Sequence, residues 1–428
     1  MTVAPHFQFK DGVLHAEDIS LAELARDHGT PLYVYSRQAL HDAWEAYRSA
    51  AGDRDVLVCF GMKANSNLAV LNEFRQLGSG FDIVSGGELA RVLAIGGDPA
   101  RVVFSGVGKQ TWELEAALQA GVKCFNVESE SELLRLSKVA VALNLTAPVS
   151  LRVNPDVDAH THPYISTGLK ENKFGIDIDD ALRIYALAAT LPGLNVVGVD
   201  CHIGSQITEV APYLDALDKL IVLIKALHAD GIALKHLDLG GGIGIRYTDE
   251  TLLAPSVLLA KVFAALDHHE LGHLQLVLEP GRSLVGNAGV LLTTVEYLKH
   301  APAKNFAIVD AAMNDLIRPT LYDAWHSVEA VTPRPQETTK TYDLVGPICE
   351  SGDWLARDRD FALVEGDLLA IMSAGAYAFT MSSQYNTRPR AAEVMVDGTQ
   401  AHVVRPRETL ASLFASETVL PDSVTPSL

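Results

Sequence analysis

Apolar positions along the chain fall in short runs that alternate with stretches of helical spacing. Strand-like runs begin near Val56, Phe81, Val102, Cys124, Val149, Val196, Leu237 and Leu274, each closed by a polar or glycine-rich loop. Seven amphipathic patterns lie between them, for example Leu89-Leu93, Leu114-Leu118, Leu133-Leu136 and Leu214-Leu217-Ile221-Ile224. An eighth, Leu40-Trp44-Tyr47 behind a Ser36 cap, precedes the first strand. Eight strands alternating with eight helices predict an α/β fold, a TIM-like (β/α)8 barrel over residues 37–285.

The flanks read differently. Phe7-Gln8-Phe9 and Val13-Leu14 around Asp11-Gly12 predict a hairpin, and Ser20 with Glu23 predicts a capping box opening a helix through Ala25. Pro31 to Tyr35 is strand-like. Beyond Arg282 the helical alternation stops. Strands are predicted at Val290–Val295, Phe306–Val309, Tyr342–Val345, Leu368–Met372, Ala392–Val396 and Ala401–Val404, with a polar loop at Thr332–Thr341 and a hairpin turn at Asp397-Gly398. Residues 286–428 thus form an all-β domain, which residues 1–36 are expected to join; the tail after Phe414 is weakly patterned.

Composition narrows the function. The chain has 428 residues, 48% hydrophobic and 20% charged, which is ordinary globular usage. A net charge of −19 with no basic run excludes a nucleic-acid surface. The four cysteines form no CxxC pair, so neither a zinc knuckle nor a redox dithiol is indicated. The apolar run near Leu220–Leu227 is broken by Lys225, and Met1 to His6 lack the regions of a signal peptide. A cytoplasmic chain without a membrane partner is the expectation.

The chemistry of a barrel gathers at the carboxyl ends of its strands, and the unusual residues fall there. Lys63 follows the first strand, His202-Ile203-Gly204-Ser205 the sixth, Gly240-Gly241-Gly242 the seventh and Glu279-Pro280-Gly281-Arg282 the eighth. A lysine at the end of a buried strand has its pKa lowered by desolvation, and a neutral amine attacks carbonyls, so Lys63 is a candidate Schiff-base residue. The glycine run lets backbone approach an anion such as phosphate. It is no dinucleotide fingerprint, since GxGxxG fails at Ile245 and at Tyr247. Val107-Gly108-Lys109-Gln110-Thr111 is no nucleotide P-loop, because Val103 replaces the first glycine and Gln110 the Ser or Thr.

Four further features carry chemistry. Glu279 ends the apolar run Leu276-Val277-Leu278 and needs a partner, either Arg282 or a ligand. Arg318 and Tyr322, four apart around Pro319, share a face of a short turn. Cys349, in Gly346-Pro347-Ile348-Cys349-Glu350-Ser351-Gly352-Asp353, reads as an accessible thiol able to donate a proton, and Tyr377 as core filling or a cofactor contact. His160 and His162 lack a third ligand, so no metal is expected.

The stretch Phe60-Gly61-Met62-Lys63-Ala64-Asn65-Ser66-Asn67 resembles the cofactor-lysine motif of the alanine-racemase-like, fold-type III family of pyridoxal 5'-phosphate (PLP) enzymes. The likeness runs in order from Gly29–Tyr35 to Tyr385–Arg390. It implies that Lys63 carries PLP, that His202 stacks on the cofactor face and that Glu279 holds the ring nitrogen. By the same resemblance Ser205, Gly240, Gly241, Gly242, Gly281, Arg282 and Tyr377 contact the cofactor. Arg282, Arg318, Tyr322 and Tyr377 face the substrate. Cys349 is implied as proton donor and Glu350 as the group holding a second substrate ammonium, both entering the neighbouring subunit's site in a homodimer.

Basic-amino-acid decarboxylases of this fold commonly carry Asp after that cysteine, so Glu350 points to meso-2,6-diaminopimelate. The implied activity is its PLP-dependent decarboxylation to L-lysine and CO2, the last step of lysine biosynthesis. The alternatives are another decarboxylase or racemase of the same fold and a non-catalytic PLP-binding protein; the β domain and the cysteine loop weigh against the latter.

Overall fold

A computed structural model describes residues 5–158 and 172–421. His160 and His162 lie outside the described residues. The apolar runs become eight parallel strands, Val56–Gly61, Gly80–Ile83, Val102–Phe104, Cys124–Val127, Ala147–Asn154, Leu194–Asp200, His236–Asp238 and Gln275–Leu278. They pair in chain order, and the last closes the ring on the first with Leu276 opposite Val56 and Leu278 opposite Val58. Helix Arg37–Ala51 precedes the barrel, and helices such as Leu68–Gln76, Ala211–Ala229 and Pro255–His268 connect its strands. The fold class expected from the periodicity is the one observed.

Alternation along these strands explains where the site sits. Outward side chains, among them Phe60, Phe81, Phe104 and Phe125, enter the main core shared with the helices. Alternate positions of the same strands, Leu57, Cys59, Val103, Cys124, Val197 and Val277, form a separate small cluster filling the barrel. Two residues further along, the same row turns polar: Ser105 follows Val103, Asn126 follows Cys124 and Glu279 follows Val277, all buried. The carboxyl end of the barrel is therefore a buried polar floor.

The second sheet runs in the order Trp354–Phe361, Lys340–Val345, Asn305–Val309, Gly289–His300, Leu32–Ser36, Ala392–Asp397, Gln400–Arg405. Leu368–Ile371 pairs with Gly289–His300 and with Val328–Ala330. The N-terminal strand Leu32–Ser36 lies inside this sheet, antiparallel to Gly289–His300 and parallel to Ala392–Asp397. The hairpin Phe7–Lys10 and Val13–Ala16 forms its own small sheet with Ile19–Ser20. Its Phe7 and Leu14 pack in one cluster with Leu32, Val34, Val290 and Val394.

Three expectations need correction. Ser20 caps the helix through the amide of Ala22, at 3.2 Å, rather than that of Glu23, and the helix continues to His28. Strands Val328–Ala330 and Trp354–Phe361 were not anticipated. The second is an edge strand whose run Arg357-Asp358-Arg359-Asp360 hides any apolar alternation.

Buried Asp315 gives a pH test of this packing. Burial pushes its carboxyl pKa up to about 7, although the Ala312 amide and Arg388 act against the rise. From about pH 4 to about pH 7 the folded state therefore binds more protons than the unfolded chain, and stability falls as pH rises. Asp315→Asn, which keeps a neutral acceptor for the Ala312 amide 3.0 Å away, should flatten that slope. Urea unfolding of both proteins at pH 5 and pH 8 checks this; equal slopes would contradict it.

Candidate active site

A cavity of about 350 Å³ opens at the carboxyl ends of the strands. Lys63, His202, Ser205, Arg282, Arg318, Tyr322 and Tyr377, separated by more than three hundred positions, all line it. Gln206, Tyr247, Glu250, Ala324 and Trp325 complete its wall and were not anticipated.

Lys63 leaves the first strand and ion-pairs with the fully buried Asp82. Burial pulls the lysine pKa down, but Asp82, then Glu279 and Tyr377, outweigh it and the net shift is upward. Desolvation alone therefore does not neutralise this amine, contrary to the sequence reading; attack on a carbonyl requires the Lys63–Asp82 pair to give up its proton first.

Beneath lies the acidic floor. Carboxylate atoms of Asp200, Asp238 and Glu279 come within 4.8 Å of one another. Burial, then Asp238, Asp82 and Asp200, hold the Glu279 carboxyl well above its usual range, and burial raises Asp238 to about 7. One oxygen each of Asp82, Asp200 and Asp238 is buried without a hydrogen-bond partner. Glu279 accepts from Asn126 Nδ2 at 3.3 Å and from Ser105 Oγ at 3.4 Å. The alternative Glu279–Arg282 ion pair is not formed. Arg282 instead donates to Ser205 Oγ from Nε at 3.2 Å and Nη2 at 3.1 Å, and to the Tyr247 hydroxyl at 2.8 Å.

The predicted glycines are not among the residues lining this cavity; they pack so closely on neighbouring backbone that side chains would not fit. A Cβ on Gly241 would meet the Glu279 carbonyl oxygen at 2.1 Å. On Gly242, whose φ is +111°, it would meet the Gly204 oxygen at 2.5 Å. A Cβ on Gly240 would lie 2.6 Å from the Cys201 oxygen, and on Gly281 3.0 Å from the Gly61 oxygen. His202 Nδ1 accepts from the Gly241 amide at 3.2 Å, and burial followed by Arg152 and Lys63 keeps this imidazole neutral. Tyr377, at φ +54°, is strained backbone for a non-glycine residue and lays its ring under the Arg282 guanidinium, 4.8 Å away.

Arg318 opens the short helix Arg318–Tyr322 and is buried. Its Nη1 donates to His326 Nε2 at 2.8 Å, and its guanidinium lies 4.9 Å from the centre of the Tyr247 ring. Cys349 and Glu350 are not in this cavity. Both are exposed; Cys349 Sγ is 3.2 Å from Asn386 Oδ1, and Glu350 accepts from the Tyr385 hydroxyl. Lys109, of the rejected P-loop, is a buried strut whose amine bonds Gly106 O, Asn126 O and Glu132.

Residues 37–286 match the family model for the pyridoxal-dependent decarboxylases, pyridoxal binding domain. The chain belongs to that family. It is 59% identical over 413 residues to a diaminopimelate decarboxylase of Vibrio cholerae, covering 96% of this chain and 98% of that one. To a diaminopimelate decarboxylase of Pseudomonas aeruginosa it is 61% identical over 415 residues, 97% and 99% of the two chains. The solved diaminopimelate decarboxylase of M. jannaschii in co-complex with L-lysine superposes with a TM-score of 0.93 at 35% identity, over 98% of this chain and 99% of that one.

Pyridoxal phosphate is the cofactor of this pyridoxal-dependent decarboxylase, and the cavity fits it. Lys63 offers the amine at the cavity wall, and a glycine run with exposed backbone amides is the kind of loop that can approach a phosphate. Burial and the neighbouring acids favour the neutral form of Glu279, and a protonated ring nitrogen beside it would stabilise the carboxylate instead. Among the described residues no helix is long and apolar enough to cross a membrane.

Proposed function

We propose that this chain decarboxylates meso-2,6-diaminopimelate to L-lysine and CO2, the last step of lysine biosynthesis, as a cytoplasmic homodimer. One observation carries the reading: a single cavity has Lys63 above a buried acidic floor and two guanidiniums, Arg282 and Arg318, whose hydrogen bonds go to neutral partners. A substrate with a carboxylate at each end of a short chain matches that layout. The names of the relatives and the lysine complex of the structural neighbour support the same substrate.

PLP, when bound, supplies a ring that draws off the electron pair left by a departing carboxylate. Lys63 anchors it, and Asp82 is the nearest group able to take the ammonium proton. Glu279 would keep a proton at the ring nitrogen, and His202, being neutral, would present a ring face without adding charge. Gly240, Gly241, Gly242, Gly281 and Ser205 would border its phosphate. Arg282, Arg318 and Tyr322, beside Tyr377, hold the carboxylate that is retained, which leaves the other one to depart. One carbon–carbon bond breaks, CO2 leaves and one proton is taken up on the same carbon.

That proton comes from Cys349 of the partner subunit, and Glu350 of the partner subunit pairs with the retained ammonium. The exposure of both residues outside their own cavity supports a shared site, as do exposed Trp325 in the cavity wall and exposed Tyr385 beside Glu350. The four free cysteines suit a reducing compartment.

Purified protein with PLP and meso-diaminopimelate should release lysine and CO2 in equal amounts. Stereochemical scrambling without lysine would instead indicate a racemase, and bound cofactor without turnover of any amino acid a binding protein.

A further inference from the structure

We propose that His326 is a positioning residue that presents Arg318 to the cavity as an oriented but uncancelled cation, so that the far end of the site requires a carboxylate. The proposal rests on the decarboxylase reading above and adds what sets its specificity. His326 is fully buried, and its Nδ1 lies 2.8 Å from the Met372 carbonyl oxygen. A carbonyl only accepts, so Nδ1 carries the hydrogen and Nε2 is left with a lone pair. That lone pair accepts from Arg318 Nη1 at 2.8 Å.

The residue is held on other sides too. Arg359 donates to the His326 carbonyl at 3.0 Å, and Tyr247 meets the imidazole edge-on with centroids 5.4 Å apart. Burial, then the neighbouring Arg318, pushes the imidazole pKa down to about 3, so it stays neutral at working pH.

Buried arginines usually face Asp or Glu, which fixes the guanidinium and neutralises it together. Here an imidazole fixes it without neutralising it. Arg282 is treated alike, bound by the hydroxyls of Ser205 and Tyr247. Glu250 is the carboxylate among the lining residues, and its Oε2 is engaged by the amides of Tyr247 and Thr248 at 2.9 and 2.8 Å. Two like charges therefore share the far end, and a bound carboxylate relieves their repulsion whereas an ammonium adds to it.

One consequence concerns the product. To lose its remaining carboxylate, L-lysine must turn round and place its ammonium end against Arg282 and Arg318. The same pair that holds diaminopimelate thus stops the reaction after one CO2.

The test compares His326→Gln, a neutral acceptor, His326→Leu, without an acceptor, and His326→Glu, an anionic one. Unfolding temperature and the visible absorbance of bound PLP check that each is folded and loaded. Relative to the parent, Gln should keep KM for meso-diaminopimelate within about threefold, Leu should raise it about tenfold and Glu about thirtyfold, with kcat changed less than KM. The inhibition constant of pimelate, the dicarboxylate without amines, should rise in step with KM. That of 1,5-diaminopentane should stay level or fall in the Glu variant.

Equal KM values for Gln and Glu, or parallel weakening of pimelate and diaminopentane, would overturn the proposal. If the Glu variant does not load PLP, equal KM values for Gln and Leu would do the same. Failure of the parent protein to form lysine would sink the decarboxylase reading instead; calorimetric binding of pimelate to the parent and the Leu variant would still decide the role of His326.

Discussion

Replacing Lys63 with alanine is expected to lower kcat/KM for meso-diaminopimelate by at least about 1,000-fold and to remove the visible absorbance of covalently held cofactor. The lysine is the amine at the cavity wall, and its loss also strips Asp82 of its ion-pair partner above the acid cluster. Lys63→Arg separates the two effects. It keeps a cation against Asp82 but offers no amine for covalent attachment, so it should be as inactive as alanine while unfolding closer to the parent temperature. A lysine-release assay with absorption spectra of both variants measures this. Turnover or covalent cofactor surviving in the alanine variant would remove Lys63 from its role.

Cys349→Ala should leave cofactor loading intact and slow lysine formation about 100-fold, the usual range for losing a positioned proton donor. Because Cys349 lies outside the cavity of its own chain, the defect should be repaired in trans. When Lys63→Ala and Cys349→Ala proteins are dissociated and mixed, half of the re-formed dimers are mixed and each has one intact site, so about one quarter of parental activity should return. Mixing without recovery, under conditions where labelled subunits exchange, would contradict a shared site.

How much of this was legible in the sequence depends on where each side chain points. The barrel strands could be read because each is a short apolar run with both faces buried, as in Val102–Phe104 and Cys124–Val127. Strand Trp354–Phe361 could not, since its solvent face is charged and Arg357 and Arg359 cover Trp354 and Trp325 rather than alternate with apolar residues. In the site, residues standing at loop starts were readable: Lys63, His202, the glycines, Glu279 and Arg282.

The acids of the floor were overlooked although each left a trace. Asp82, Asp200 and Asp238 are lone carboxylates embedded in the apolar stretches Phe81-Asp82-Ile83, Val199-Asp200-Cys201 and Leu237-Asp238-Leu239. Three such placements at strand ends mark one buried charged layer. The rise in the Lys63 pKa depends on two of its neighbours, Asp82 and Glu279, which are 197 positions apart in the chain but meet only after the barrel closes. His326 had no comparable trace, because its meaning lies in contacts with Arg318 and Met372 that local spacing does not reveal.

The proposed chemistry turns on Lys63 being the residue that carries the cofactor. Borohydride reduction of the PLP-loaded protein, followed by proteolysis and mass spectrometry, reads this directly. A pyridoxyl phosphate adduct is expected on the peptide containing Lys63 and none on that containing the buried Lys109. An adduct elsewhere with Lys63 unmodified would contradict it.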